Sequence, residues 1–240
     1  MPKTDILGIN FDNLTMSEAC SSALSLALSG KGYIATPNPE IVWLCRKNQA
    51  AKNAVNCASL VVPDGIGVIY ASKILGTPLK ERVPGFELAE NLLPLFAQNG
   101  LRLFLLGAKP GIAEKAAARM IMKHPALVVC GLHNGYFKND AMILETINAS
   151  RTDVVFVCMG APRQELWMLE NLEKTNARLM IGLGGSLDVF AGEIARAPKI
   201  WVKLNLEWLY RAIRQPSRFK RLLSLPKFLA AAVAGRLKRG

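Results

Sequence analysis

Short, continuously apolar runs recur along the chain, and each ends in a glycine or a small polar break before a helical pattern begins. The clearest are Leu103-Phe104-Leu105-Leu106-Gly107 and Val154-Val155-Phe156-Val157-Cys158. Tyr33-Ile34-Ala35, Leu60-Val61-Val62, Val128-Val129-Cys130 and Leu179-Met180-Ile181 read the same way, and Ile6-Leu7-Gly8-Ile9 is a further short strand candidate. A strand apolar at every position has both faces buried, whereas a strand with one wet face alternates. With helices between the strands, this predicts an α/β fold whose sheet is mostly parallel and covered by helices on both faces.

The connecting segments carry helix punctuation. Thr15-Met16-Ser17-Glu18 fits a capping box, in which hydroxyl and carboxylate satisfy each other's orphan amides, and Gly30 marks the stop. Further helices are expected through Ile41, Val42, Leu44 and Cys45, from Pro110 to about Lys123, and after Pro162, a residue suited to a helix start.

At 240 residues, 51% hydrophobic and 20% charged, the chain is too apolar for disorder and long enough for one substantial core. No apolar run reaches the roughly 18 residues needed to span a bilayer. The first residues lack the apolar stretch of a secretory signal, so a cytoplasmic location is expected. Five scattered cysteines with no CxxC pair, and only two histidines, argue against a disulfide framework or a zinc site. The net charge of +12 is unevenly placed: residues 201–240 hold ten Lys/Arg against Glu207, a net +9. This divides the chain into a nearly neutral body, residues 1–198, and a basic helical appendage, residues 199–240, which calls for a polyanion such as an anionic membrane surface or a nucleic acid.

In such a sheet, ligands sit outside the carboxyl ends of the strands. The residues there are Thr36-Pro37-Asn38, Asp64-Gly65, Gly107-Ala108-Lys109, Asn134-Gly135-Tyr136, Gly160 to Glu165, and Gly182 to Ser186. Glycines gathered at one sheet edge let backbone amides approach a phosphate, although each alone is also ordinary turn chemistry. No P-loop is present, and the late Gly182-Leu183-Gly184-Gly185 lacks dinucleotide-fingerprint spacing, which counts against an NAD-dependent oxidoreductase. The absence of any Asp-x-Asp pair removes the usual sequence sign of a metal-held nucleotide sugar.

Several segments together resemble the WecG/TagA/CpsF glycosyltransferases of bacterial surface-polymer synthesis. They are Thr36-Pro37-Asn38-Pro39-Glu40, Pro63-Asp64-Gly65, Glu81-Arg82-Val83-Pro84-Gly85, Asn134-Gly135-Tyr136-Phe137, Met159 to Glu165, Gly184 to Gly192, Arg196-Ala197-Pro198-Lys199, and Leu206 to Arg211. Pro84 and Lys203 depart from the family pattern. The resemblance implies a Rossmann-like sheet with a C-terminal appendage. It also implies inverting transfer of an N-acetylhexosamine, N-acetylmannosamine or its uronic acid, from a UDP-sugar to N-acetylglucosamine on a polyprenyl diphosphate. The donor is a substrate, and no cofactor or metal is expected. The enzyme would work peripherally, on the inner face of the cytoplasmic membrane; the sequence leaves the oligomeric state open, an oligomer included.

Within that chemistry the resemblance makes Asp64 the base for the acceptor hydroxyl. Arg82, a forked cation, suits the departing diphosphate, or else forms a surface ion pair. Gln164 can give and accept hydrogen bonds with sugar groups, while Glu165 is read as stabilising its helix start. Thr36 and Asn38 can orient sugar hydroxyls. Gly135, Gly160, Gly185 and Asp188 are candidates for the UDP pocket, with Asp188 on ribose or uracil. In the tail, Arg211, Arg214, Arg218 and Arg221 recur at helical spacing beside Trp208, Leu209, Ile213 and Phe219, as an element meeting anionic headgroups and the acceptor diphosphate would. On this reading the body folds without the tail. The rival is a non-catalytic nucleotide-binding module whose tail docks on nucleic acid, though the tail carries no nucleic-acid motif.

Overall fold

The computed structural model describes residues 2–194, Pro198, Trp201, Tyr210 and 224–237. Its centre is a six-stranded sheet formed by β3 (Gly32–Ala35), β4 (Leu60–Val61), β5 (Arg102–Gly107), β6 (Val128–His133), β7 (Val154–Cys158) and β8 (Leu179–Gly182). The order is β4-β3-β8-β7-β5-β6, and every pairing is parallel.

Because successive side chains alternate across a strand, each apolar run feeds two cores. Phe104, Leu106, Val155, Val157 and Met180 face one layer; Leu103, Leu105, Val154, Phe156 and Ile181 face the other. The first layer holds α2 (Pro39–Cys45), α3 (Gln49–Asn56), α4 (Ile66–Ile74), α7 (Asp140–Ala149) and α8 (Arg163–Asn171). The second holds α1 (Met16–Ser29), α5 (Gly85–Gln98), α6 (Ile112–Lys123) and α9 (Ser186–Phe190). The expected capping box is present at α1: Thr15 Oγ1 accepts from the Glu18 amide at 3.2 Å, and Glu18 Oε2 accepts from the Thr15 amide at 2.7 Å.

The first strand expectation needs correction. Ile6 to Ile9 is not one strand but the turn of an antiparallel hairpin, β1 (Lys3–Ile6) with β2 (Ile9–Asp12). Leu7 and Gly8 take φ of 54° and 91°, the paired left-handed geometry of a tight hairpin turn. The hairpin guards the sheet edge, since the buried Asp12 carboxylate accepts from the Val61 amide of β4 at 2.8 Å.

At the other side of the sheet, the ends of β5 and β7 touch. Gly107 has φ 139°, and a β-carbon there would run into the Cys158 carbonyl. Gly107→Ala should therefore cost about 3 kcal/mol, from strained backbone and a clash with main chain. Denaturant unfolding measures it; a loss under about 1 kcal/mol would mean that the two strand ends part freely.

The last described helix, α10 (Ser224–Leu237), packs on α4 and α2 and buries Phe228 and Ala232. Its cations are Lys227 and Arg236, and Arg236 Nη1 donates to the Leu75 carbonyl at the end of α4, 3.3 Å away. Arg211, Arg214, Arg218 and Arg221, with Trp208, lie outside the described residues. Trp201 and Tyr210, both half-buried, place their rings 5.7 Å apart. Among the described residues no helix is long and apolar enough to cross a membrane.

Candidate active site

Parallel strands deliver all their carboxyl ends to one edge. Along that edge the order reads Asp64 after β4, Thr36 and Asn38 after β3, Gly182 to Gly185 after β8, Gly160 after β7, Ala108 after β5 and Gly135 after β6. From β5 the chain crosses outward to β6, and from β7 it crosses the other way to β8. A crevice opens where neighbouring connections diverge in this way.

At one end the acid and its neighbours converge. The Asp64 amide donates to the Pro37 carbonyl at 3.3 Å, joining the turns after β3 and β4. The Val83 amide donates to the Pro63 carbonyl at 2.9 Å, laying Arg82 to Gly85 alongside the acid. Pro84 is the N-cap of α5, so this departure from the family pattern sits at a helix start. The half-buried Asp64 carboxylate then accepts from the Gly85 amide at 3.4 Å. A helix N-terminus carries partial positive charge, and this contact turns the acid towards it. Arg82 Nη2 stands 3.9 Å from Glu87 Oε1 in the first turn of α5, with 16% of its side chain exposed. Thr36 is buried and its hydroxyl donates to the Gly182 carbonyl at 2.7 Å. A β-carbon on Gly85 would lie 3.1 Å from Thr36 Oγ1, so Thr36, Asp64 and the start of α5 form one cluster. Asn38 Oδ1 caps α2 by accepting from the Ile41 amide at 3.0 Å.

In the middle of the edge, Gln164 is buried and its amide is occupied by the protein. Its Oε1 accepts from Gly160 N at 3.2 Å and Gly184 N at 2.9 Å, while its Nε2 donates to Glu165 Oε1 at 2.8 Å. Gln164 thus ties the loops after β7 and β8 together. Glu165, 1% exposed, does more than sit at a helix start. Its Oε2 is buried without a hydrogen-bond partner among the described residues. Burial raises its pKa, and the Gln164 hydrogen bond lowers it by less. The folded protein therefore holds a proton that the unfolded chain releases, and stability falls as pH rises from the ordinary carboxyl value of 4.5 through the folded value. Glu165→Gln should flatten that decline. Parallel melting curves of the two proteins from pH 4.5 upward would disprove it.

At the far end, the glycine loops are braced by a residue whose role no pattern in the sequence announces. Arg163 donates to the Gly135 carbonyl at 2.6 Å and stacks on the Phe137 ring at 4.9 Å. The Gly135 amide donates to the Ala108 carbonyl at 2.9 Å. Asp188 lies in α9, behind Gly185. The expected residues fall into an acid-bearing group at β3, β4 and α5, and a glycine-lined group at β5, β6 and β7, joined through Gln164.

A profile described as the Glycosyl transferase WecG/TagA/CpsF family matches residues 4–240. The chain belongs to this family. It is 38% identical over 231 residues to an N-acetylglucosaminyldiphosphoundecaprenol N-acetyl-beta-D-mannosaminyltransferase of Staphylococcus aureus strain MRSA252, covering 95% of this chain and 91% of the relative. The same figures hold for the enzyme of that name from strain MW2. The WecG/TagA/CpsF protein is thus a glycosyltransferase of cell-wall polymer synthesis on a Rossmann-like parallel sheet. Family membership also overturns the rival reading of the body as a non-catalytic module.

Proposed function

We propose that this glycosyltransferase moves N-acetylmannosamine from its UDP-activated form to N-acetylglucosamine carried on a polyprenyl diphosphate. The clustering of Asp64, Thr36 and the start of α5 at two adjacent strand ends carries the reading. A carboxylate at a cleft rim can take the acceptor hydroxyl proton as the anomeric bond forms. The relatives' names specify a β-mannosaminyl product, and UDP-hexosamines are α-linked, so the configuration inverts. Inversion calls for one base opposite the leaving group and for charge compensation on UDP.

Arg82 is the cation next to the acid and supplies that compensation. At roughly 4.8 Å per strand, the edge from β4 to β7 spans about 14 Å. An extended donor fits along it, sugar near Asp64 and Thr36 and nucleoside at Gly160, on the side where Gly135 and Asp188 lie. The glycine backbone there admits phosphate, and no metal is needed to hold it. The acceptor lipid brings the protein to the inner face of the membrane, where the arginines at 211, 214, 218 and 221 meet anionic headgroups.

The test is a panel of UDP-sugars against a short-chain lipid-diphosphate N-acetylglucosamine, with mass spectrometry of the product. UDP-N-acetylmannosamine should give one added N-acetylhexosamine at a rate that EDTA leaves within about twofold. Transfer only from another donor would overturn the sugar assignment. Loss on chelation with recovery on Mn²⁺ or Mg²⁺ would overturn the role given to Arg82.

A further inference from the structure

Glu165 is a buried acid for which the proposed chemistry has no direct use. Among the described residues it accepts one side-chain hydrogen bond, and its second oxygen is buried without a donor. A dry carboxyl is a poor core filler, since a side chain of similar size without charge meets the same packing at lower desolvation cost. Its one partner is the residue that joins two cleft loops.

Gln164 faces two backbone N–H donors with one end of its amide and Glu165 with the other. An amide has a donor end and an acceptor end. Turned over, it would set its NH₂ against the Gly160 and Gly184 amides and its oxygen against the carboxyl. An acceptor at position 165 therefore acts with the two N–H donors to hold the orientation that draws both loops inward. Gly160 and Gly184 have φ of 78° and 56°, and a β-carbon on either would meet nothing within 4 Å. Both loops thus border open space in the middle of the cleft, at β7 and β8.

We propose that Glu165 is a positioning residue for the donor nucleotide: by orienting Gln164 it sets the separation of the Gly160 and Gly184 loops that receive the diphosphate and nucleoside. The proposal rests on the UDP-sugar reading above for the ligand, but not for the loop geometry.

The test uses the full chain, with UDP as probe and backbone amide exchange as a ligand-free readout. In Glu165→Leu, UDP should bind about tenfold more weakly, the equivalent of about 1.4 kcal/mol. The KM for the UDP-sugar should rise more than kcat falls. The Gly160 and Gly184 amides should exchange about tenfold faster without ligand, as local protection is lost. Glu165→Gln retains an acceptor oxygen and should stay within about threefold of the parent on each count. Glu165→Asp, a smaller change for folding, withdraws the acceptor and should move both readouts in the direction of Glu165→Leu. In a Gln164→Leu background, adding Glu165→Leu should weaken UDP by less than about twofold, because the second residue acts through the first.

Unchanged glycine exchange in both Glu165→Leu and Glu165→Asp would overturn the proposal, as would losses that multiply in the double variant. If the parent protein fails to bind UDP, the donor reading falls, and the exchange arm still decides whether Glu165 sets the loops.

Discussion

Asp64→Asn should lower transfer by about 10²-fold or more while UDP binding stays within about twofold. The substitution keeps size and an oxygen that can accept from the Gly85 amide, so the link between the acid's turn and the start of α5 survives. What it removes is the ability to take a proton. The loss should fall on kcat, since an interaction needed only as the hydroxyl is deprotonated stabilises the transition state alone. A 10²-fold drop corresponds to about 2.7 kcal/mol. Steady-state kinetics with UDP-N-acetylmannosamine and calorimetric UDP binding on the same preparation check it. Turnover near that of the parent would take the base assignment away from Asp64, and loss of UDP binding would recast the acid as a donor contact.

Removing residues 224–240 should unfold or grossly destabilise the protein, reversing the expectation from charge distribution that the tail is separable. Phe228 and Ala232 are fully buried against α2 and α4, and Leu225 reaches to within 2.8 Å of where a β-carbon on Gly67 would lie. Truncating one buried phenylalanine alone costs about 3–5 kcal/mol, a large share of a typical domain's 5–15 kcal/mol. Deleting the helix also bares the faces of α2 and α4 beneath it, so aggregation should accompany the loss. The charge of the tail is tested separately by replacing Arg211, Arg214, Arg218 and Arg221 with glutamine. At roughly 1 kcal/mol per cation near an anionic leaflet, that variant should lose at least tenfold in vesicle affinity while melting like the parent. A truncated chain that melts like the full one would show that α10 adds nothing to the core. Unchanged vesicle binding by the glutamine variant would remove the arginines from membrane contact.

The four arginines recur at helical spacing in the sequence, but α10 begins three residues beyond the last of them and carries only two cations. It is alanine-rich, and its use as a core element was not legible because the helices it packs on, α2 and α4, lie about 150 residues or more away in the chain. The Ile6–Ile9 segment misled for a related reason. Apolar residues flanking Leu7-Gly8 match a strand or a hairpin equally well, and the pairing of Lys3 with Asp12 decides between them.

Sequence alone determined the elements whose causes are local. Continuously apolar runs marked five of the six sheet strands almost to their ends, with β6 running three residues further. Thr15 and Glu18 marked the start of α1, and the motifs at Pro63 to Gly65 and Met159 to Glu165 marked the family. It also placed Asp64 and the glycines at strand ends, because a turn after a strand is written in adjacent residues. Only the tertiary structure decided the order β4-β3-β8-β7-β5-β6, and with it which strand ends are neighbours. It spent the Thr36 hydroxyl on a carbonyl 146 residues away. It gave Gln164 a bridging task between two loops and, among the described residues, left one oxygen of Glu165 without a donor. Periodicity and turn chemistry act over a few residues, whereas the satisfaction of a buried polar atom depends on whichever distant segment the sheet brings beside it.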